Sequence, residues 1–189
     1  MPTAEIQTDA IVRDALSLGK RVYVPYLEKS HASPSPDMPK SVMDMLELQS
    51  LSDYDSLKRD SWGIPTIGAE TVHERERILS KGSTSLDLII MPGVAFCTDP
   101  ATSLIRRLGH GKGFYDYFLH RYREAYKSQT DSMANSSGTD VLLYGLALEE
   151  QFLPPTHNEP LVPIGEHDSL LHGLFVGNGT VIAGPSSKQ

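Results

Sequence analysis

The chain has 189 residues, 39% of them hydrophobic and 22% charged, with a formal net charge of −7. That is enough for one domain with its own core, and the negative balance argues against a nucleic-acid partner, although a nucleotide needs only a local group of cations. A single cysteine, Cys97, rules out an internal disulfide and a cysteine-built zinc site, and no apolar run approaches the roughly 20 residues of a membrane span. The opening MPTAEIQTD has neither a basic region nor an apolar core, so no signal peptide is read and the expected location is the cytoplasm.

Thr8 and Asp9 can cap a first helix running to about Leu18, with Ile11, Val12, Ala15 and Leu16 as its apolar face and Gly19 as its stop. Arg21 to Pro25 is β-branched and aromatic, a buried strand by pattern. Residues 28–40 are rich in Ser, Pro and His and read as a flexible loop. Val42 to Leu48 alternates apolar and polar and reads as a strand, and Ser52 to Lys58 as a short helix started by Ser52 or Asp53. Ser61 to Pro65 is an extended turn. Leu86 to Met91 is the most apolar strand and is expected at the centre of the sheet. Asp116 to Tyr126 has helical spacing, with Tyr115, Phe118, Leu119 and Tyr122 on one side. Residues 128–139 form a polar loop, Val141 to Leu148 a buried strand, and Gly177-Asn178-Gly179 the turn of a hairpin. Strands alternating with helices predict a single α/β domain over residues 1–189, a three-layer αβα sandwich with a mostly parallel central sheet.

The stretch that carries chemistry runs from Met91 to Leu119. An apolar strand leads through a polar loop and Gly109-x-Gly111-x-Gly113 into an aromatic helix. Glycines let the backbone come close to an anion, and amides at a helix start point at it. Arg106, Arg107, His110 and Lys112 accompany them as cations. The spacing is neither a P-loop nor a dinucleotide fingerprint, so from the loop alone an anion cradle and a plain turn both stand.

The flanks add to this. Pro92-Gly93-x-x-Phe96 followed by Arg107-Leu108-Gly109-x-Gly111-Lys112-Gly113-Phe114-Tyr115-Asp116 resembles the signature of the 5-formyltetrahydrofolate cyclo-ligase family. Glu5-Ile6-x-Thr8, Gly19-Lys20 with Val22 to Pro25, Trp62-Gly63-Ile64-Pro65, and Val162-Pro163 with His167-Asp168 resemble further segments of that family, in the same order. The resemblance implies an ATP- and Mg²⁺-dependent enzyme. It would convert 5-formyltetrahydrofolate, with or without a polyglutamate tail, to 5,10-methenyltetrahydrofolate, releasing ADP and phosphate. The formyl oxygen would attack the γ-phosphate, and a neighbouring folate nitrogen would close the ring. Such chemistry asks the protein for positioning and charge neutralisation more than for a nucleophile.

Residue by residue, the resemblance implies Arg107, Lys112 and Tyr115 as catalytic. It gives Arg107, Leu108, Gly109, His110, Gly111, Lys112, Gly113, Phe114 and Tyr115 to the nucleotide. Folate would touch Glu5, Trp62, His110, Gly111, Lys112, Gly113 and Phe114, and Asp116 and Asp168 would hold Mg²⁺. Plain readings stand beside these: Asp116 as a first-turn helix carboxylate, Asp168 as a turn cap, Trp62 as core, Glu5 as a solvated charge, and Cys97 as a small buried residue. His110 stands where the family usually has Arg, Phe114 where it has a first Tyr, and Cys97 where an Asp is common. The chain is also expected to lack about 50 residues of the family's basic N-terminal segment, judged by where the matched segments fall in a domain of this class. A monomer, no membrane and no nucleic-acid partner complete the expectation. The rivals are a non-catalytic nucleotide- or folate-binding relative and an α/β domain whose glycine loop is only structural.

Overall fold

The computed structural model describes residues 6–29, 41–61, 63–80, 84–130, 141–154 and 161–185, with the backbone alone at 127–130. Glu5, Trp62 and most of the two loops expected at 28–40 and 128–139 lie outside the described residues. The chain falls into two compact units, one taking in Gln7–Ser85 and Phe118–Ser128, the other Leu86–Tyr117 and Gln129–Gln189.

In the first unit, helix α1 covers Asp9–Ser17. Gly19, at φ +72°, ends it, and the amides of Gly19 and Lys20 return to the carbonyls of Leu16 and Ala15 at 3.0 and 2.9 Å, so the last carbonyls are satisfied. Strand β1, Val22–Lys29, pairs antiparallel with β2, Ser41–Leu48, over its whole length. β1 therefore runs four residues past the expected end at Pro25 and is only partly buried. Pro25 has no amide to donate, and it is tolerated because β1 pairs on one side only among the described residues. On the other side of β2, the Glu47 amide donates to the Glu76 carbonyl and the Ile78 amide to the Met45 carbonyl. That second neighbour explains why Met43, Asp44, Met45 and Leu46 are all buried where alternation predicts one exposed face. Leu46 joins Ile67 and Val72 in a small core, with Val24, Tyr26 and Leu57 against it.

Helix α2, Leu51–Ser56, starts from Ser50, two residues before the expected cap, whose hydroxyl accepts from the Asp53 amide at 3.0 Å. A two-residue ladder of β3, Lys58–Arg59, and β4, Pro65–Thr66, closes the turn that follows.

In the second unit, β5 (Leu88–Met91), β8 (Leu142–Ala147), β10 (Gly173–Val176) and β11 (Val181–Ala183) form a sheet of order β11-β10-β8-β5. β5–β8 and β8–β10 are parallel and β10–β11 is the expected antiparallel hairpin. β5, expected at the centre, is an end strand of this sheet, and β8 and β10 hold the middle. Apolarity is a poor guide here because Ile89 and Met91 are buried by packing, not by strands on both sides.

The larger difference is a second sheet. Residues read as polar loop form β6, Ala95–Thr98, and β7, Ile105–Leu108, an antiparallel pair flanked by β9, Phe152–Leu153, in order β7-β6-β9. Each strand is four residues or shorter, too little for alternation to register. A two-way bridge between Ile105 and Leu171 ties this sheet to the segment entering β10. Phe96 is fully buried, and it fits because Gly145 on β8 leaves room: a Cβ there would meet Leu174 Cδ1 at 2.6 Å and Phe96 Cε1 at 2.7 Å. Helix α3, Phe114–Thr130, starts in this unit two residues before the expected Asp116. The protein is α/β, with parallel and antiparallel pairing mixed and three α-helices among the described residues.

Candidate functional site

Strand β7 delivers Arg107 to the edge of the glycine turn, and α3 leaves from the other end of that turn. Gly111 and Gly113 sit at φ +77° and +63°, the left-handed region where a side chain is strained, so the reversal into α3 depends on glycine. The first helical bond closes from the Tyr117 amide to the Gly113 carbonyl at 2.9 Å. Amides in the first turn of a helix have no helical acceptor and carry the positive end of its dipole. The turn thus supplies what an anion needs.

Arg107 lies almost wholly buried at the base of this turn, its side chain 7% exposed. Nη2 donates to Asp116 Oδ2 at 2.6 Å, and Nη1 donates to the Pro92 carbonyl at 3.3 Å. Nε is buried with no acceptor. Arg75 Nε, beside Asp53, is orphaned in the same way, so the orphan marks a tightly held guanidinium; the N–H groups not spent on Asp116 and Pro92 are what Arg107 can offer an anion. Asp116 Oδ1 accepts from the Ser169 amide at 3.3 Å, so the helix start is fastened to the turn that carries Asp168. Two glycines leave space for this arginine. A Cβ on Gly93 would meet Phe96 Cζ at 2.6 Å and Arg107 Cγ at 3.0 Å, and one on Gly109 would meet Arg107 Nη1 at 3.0 Å.

The other expected residues divide. Tyr115 is half-buried with its ring centroid 6.0 Å from the Arg107 guanidinium; burial pushes its phenol up to about 12, and Arg107 pulls the other way. His110 and Lys112 are exposed on the turn, and the Lys112 ammonium stands 6.0 Å from the Phe114 ring centroid. Leu108 is exposed and closes β7, its carbonyl accepting from the Val94 amide at 2.7 Å. Asp168 is exposed, and its Oδ2 accepts from the Gly165 amide at 2.7 Å. Arg106 is not a loop cation. It lies on β7, where Nε reaches Asp99 Oδ1 at 2.6 Å and Nη1 the Val162 carbonyl at 3.3 Å, which leaves little of it for an anion. Asp99 also accepts from the Thr102 hydroxyl and amide, and these bonds with Arg106 hold its carboxyl below the usual range. Cys97 is buried, its sulfur accepting from the Val162 amide.

The sequence reading missed Gln151. Its Nε2 donates to the Gly93 carbonyl at 3.0 Å while its Oε1 accepts from the Leu148 amide at 2.8 Å, so it braces the Pro92-Gly93 turn that Arg107 also grips. No local pattern marks a glutamine that works through a backbone 58 residues away.

For Mg²⁺, the described residues hold no group of three or more His, Cys, Asp or Glu side chains that could bind a metal. Mg²⁺ needs only one or two carboxylates when phosphates and waters complete its shell. Asp168 fits that requirement by its exposed carboxylate. Asp116 is the direct counter-charge of the buried Arg107 guanidinium, and a divalent ion on it would stand beside that cation where little water screens the two.

A model of the 5-formyltetrahydrofolate cyclo-ligase family matches residues 1–175. Among curated relatives, a "Probable 5-formyltetrahydrofolate cyclo-ligase" of Schizosaccharomyces pombe is 32% identical over 174 residues, 92% of this chain and 70% of that protein. Its counterpart in Caenorhabditis elegans is 30% identical over 95% of this chain and 71% of its own length. The mouse 5-formyltetrahydrofolate cyclo-ligase is 32% identical over 87% of this chain and 64% of its own length.

Proposed function

Since the chain belongs to the 5-formyltetrahydrofolate cyclo-ligase family, we propose that it closes 5-formyltetrahydrofolate to 5,10-methenyltetrahydrofolate at the expense of ATP, with ADP and phosphate released. One observation carries the placement of the nucleotide: the nearly buried Arg107 guanidinium, held by Asp116 at the base of a glycine turn that opens a helix. ATP supplies the phosphoryl group that makes the formyl oxygen a leaving group. The protein's task is to hold the phosphates still and to neutralise charge as it shifts between oxygens.

In this reading Arg107 and the Gly109 to Tyr115 backbone hold the phosphates, and Lys112 adds a mobile point charge. Tyr115 contributes a hydroxyl that stays protonated at neutral pH. His110 and Phe114 border the folate. Asp168 would hold Mg²⁺, which would offset charge on the phosphates. Glu5 and Trp62 are proposed as folate contacts from their place in the family pattern alone.

Incubation with 5-formyltetrahydrofolate, ATP and Mg²⁺ tests the reading. Methenyl-folate absorbs in the near ultraviolet where the formyl substrate does not, so the band should grow only when ATP is present. No growth, with heat stabilisation by nucleotide or folate retained, would make the chain a binding relative instead. Arg107→Ala should abolish stabilisation by nucleotide; retained stabilisation would remove the phosphates from this turn.

A further inference from the structure

We infer that Asp116 is a positioning residue for Arg107 rather than a ligand of the metal, and that Arg107 is oriented for phosphate before any metal arrives. The inference rests on the reading of Arg107 as a phosphate contact given above. Its own basis is the way hydrogen bonds are distributed across the pair. The Asp116 side chain is 13% exposed and that of Arg107 7%, and the two meet at 2.6 Å. Asp116 gives one oxygen to Arg107 and the other to the Ser169 amide. Arg107 gives Nη2 to Asp116 and Nη1 to Pro92, while its Nε is enclosed. The guanidinium is therefore held on one side by the helix start and on another by the Pro92-Gly93 turn. The η N–H groups not spent on Asp116 and Pro92 are what it can offer a ligand.

A divalent ion on Asp116 would work against this arrangement. It would draw away the counter-charge of a buried guanidinium and place two like charges close together, where little water separates them. The position of Asp116 suits an anchoring role, because an acidic residue in the first turn of α3 is favoured by the helix dipole. The pair is neutral overall. Net attraction for phosphate then comes from Lys112 and the amides of the turn, and Arg107 adds direction.

Thermal shift of the full chain with ATP, in EDTA and separately with excess Mg²⁺, tests the inference, comparing wild type with Asp116→Asn. The wild type should be stabilised by ATP in EDTA, and the ATP concentration giving half the shift should rise at least tenfold in the variant under the same metal-free condition. Reading the ATP-dependent shift, not the Tm itself, separates lost positioning from lost stability. An unchanged metal-free response in Asp116→Asn, with loss confined to the Mg²⁺-dependent part, would make Asp116 an ordinary metal ligand and overturn the inference. Stabilisation of the wild type only when Mg²⁺ is present would overturn it as well and leave the proposed function standing. If the wild type responds to ATP in neither condition, the phosphate reading fails and the inference with it. Should Asp116→Asn not fold, Asp116→Glu keeps the charge on a longer arm. It should also weaken metal-free binding by displacing the guanidinium, and unchanged binding would count against the inference.

Discussion

Cys97 and Arg106 face each other across the β6–β7 ladder, and both take hold of Val162: the sulfur accepts from its amide at 3.4 Å, and the guanidinium donates to its carbonyl at 3.3 Å. One residue is thus held at both its amide and its carbonyl by a single cross-strand pair. Asp99 holds Arg106 in place from behind. The segment so fixed runs on to Gly165, whose amide donates to Asp168, and to Ser169, whose amide donates to Asp116.

This arrangement gives Arg106 a structural task distinct from that of its neighbour. Arg106→Met removes the fork to Asp99 and frees the Val162 carbonyl while keeping much of the side chain's bulk. The variant should melt several degrees lower, yet ATP should raise its Tm by nearly the wild-type increment. Loss of the ATP increment with an unchanged Tm would instead make Arg106 a phosphate contact.

At Gly111 the constraint is the backbone alone, because a Cβ would meet nothing within 4 Å and φ is +77°. Alanine there should cost about 1–2 kcal/mol of strain or push the turn open. Asparagine tolerates left-handed backbone better and should recover much of the loss. Denaturant unfolding and ATP half-saturation on Gly111→Ala and Gly111→Asn check both halves. If the two variants behave alike, φ is not what limits the position.

Much of this frame could be read without coordinates. β2, β8 and the β10–β11 hairpin appeared where hydrophobic runs and a Gly-Asn-Gly turn placed them, and α3 where aromatic residues recur at helical spacing. The glycine turn was legible because flanking residues, not glycine spacing, made it specific. What escaped was short or non-local. β6 and β7 span four residues each, and the arginines on β7 disguise it as polar loop. That Arg106 pairs with Asp99 and Arg107 with Asp116, seven and nine residues away, leaves no mark in the sequence, where neighbouring arginines look the same. Gln151 and the Val162 clamp join residues more than 50 positions apart.

In the first unit, Arg75 and Asp53 form a two-pronged pair with both N···O distances 2.6 Å, and Arg75 also donates to the Glu47 carbonyl. The hydrogen bonds from Arg75, with help from the Gln49 amide, hold the Asp53 carboxyl below its ordinary 3.8. A depressed carboxylate contributes stability above its unfolded pKa and loses it as pH falls through the folded value. The loss should therefore begin below about pH 4. Arg75→Met strands Asp53 without its cation and should destabilise the protein by about 3 kcal/mol at neutral pH. It should also flatten the acid limb of the stability curve. A variant whose stability falls below pH 4 as steeply as that of wild type would show that the pair is not the source of that limb.

Tyr115 gives a test at the opposite end of the pH scale. Burial raises its phenol from 10.0 to about 12, against the pull of Arg107. The folded protein therefore holds this proton through a window in which the unfolded chain has released it. Stability from this residue is complete below pH 10 and declines as pH rises towards 12. The tyrosinate absorbance of wild type minus that of Tyr115→Phe should show one group titrating near 12. At working pH the hydroxyl is then a donor and not a phenolate base, so Tyr115→Phe should lower kcat through a lost hydrogen bond without shifting the pH profile below 10. A difference titration centred near 10 would mean that the ring stands in water, and Tyr115 would lose its place beside the phosphates.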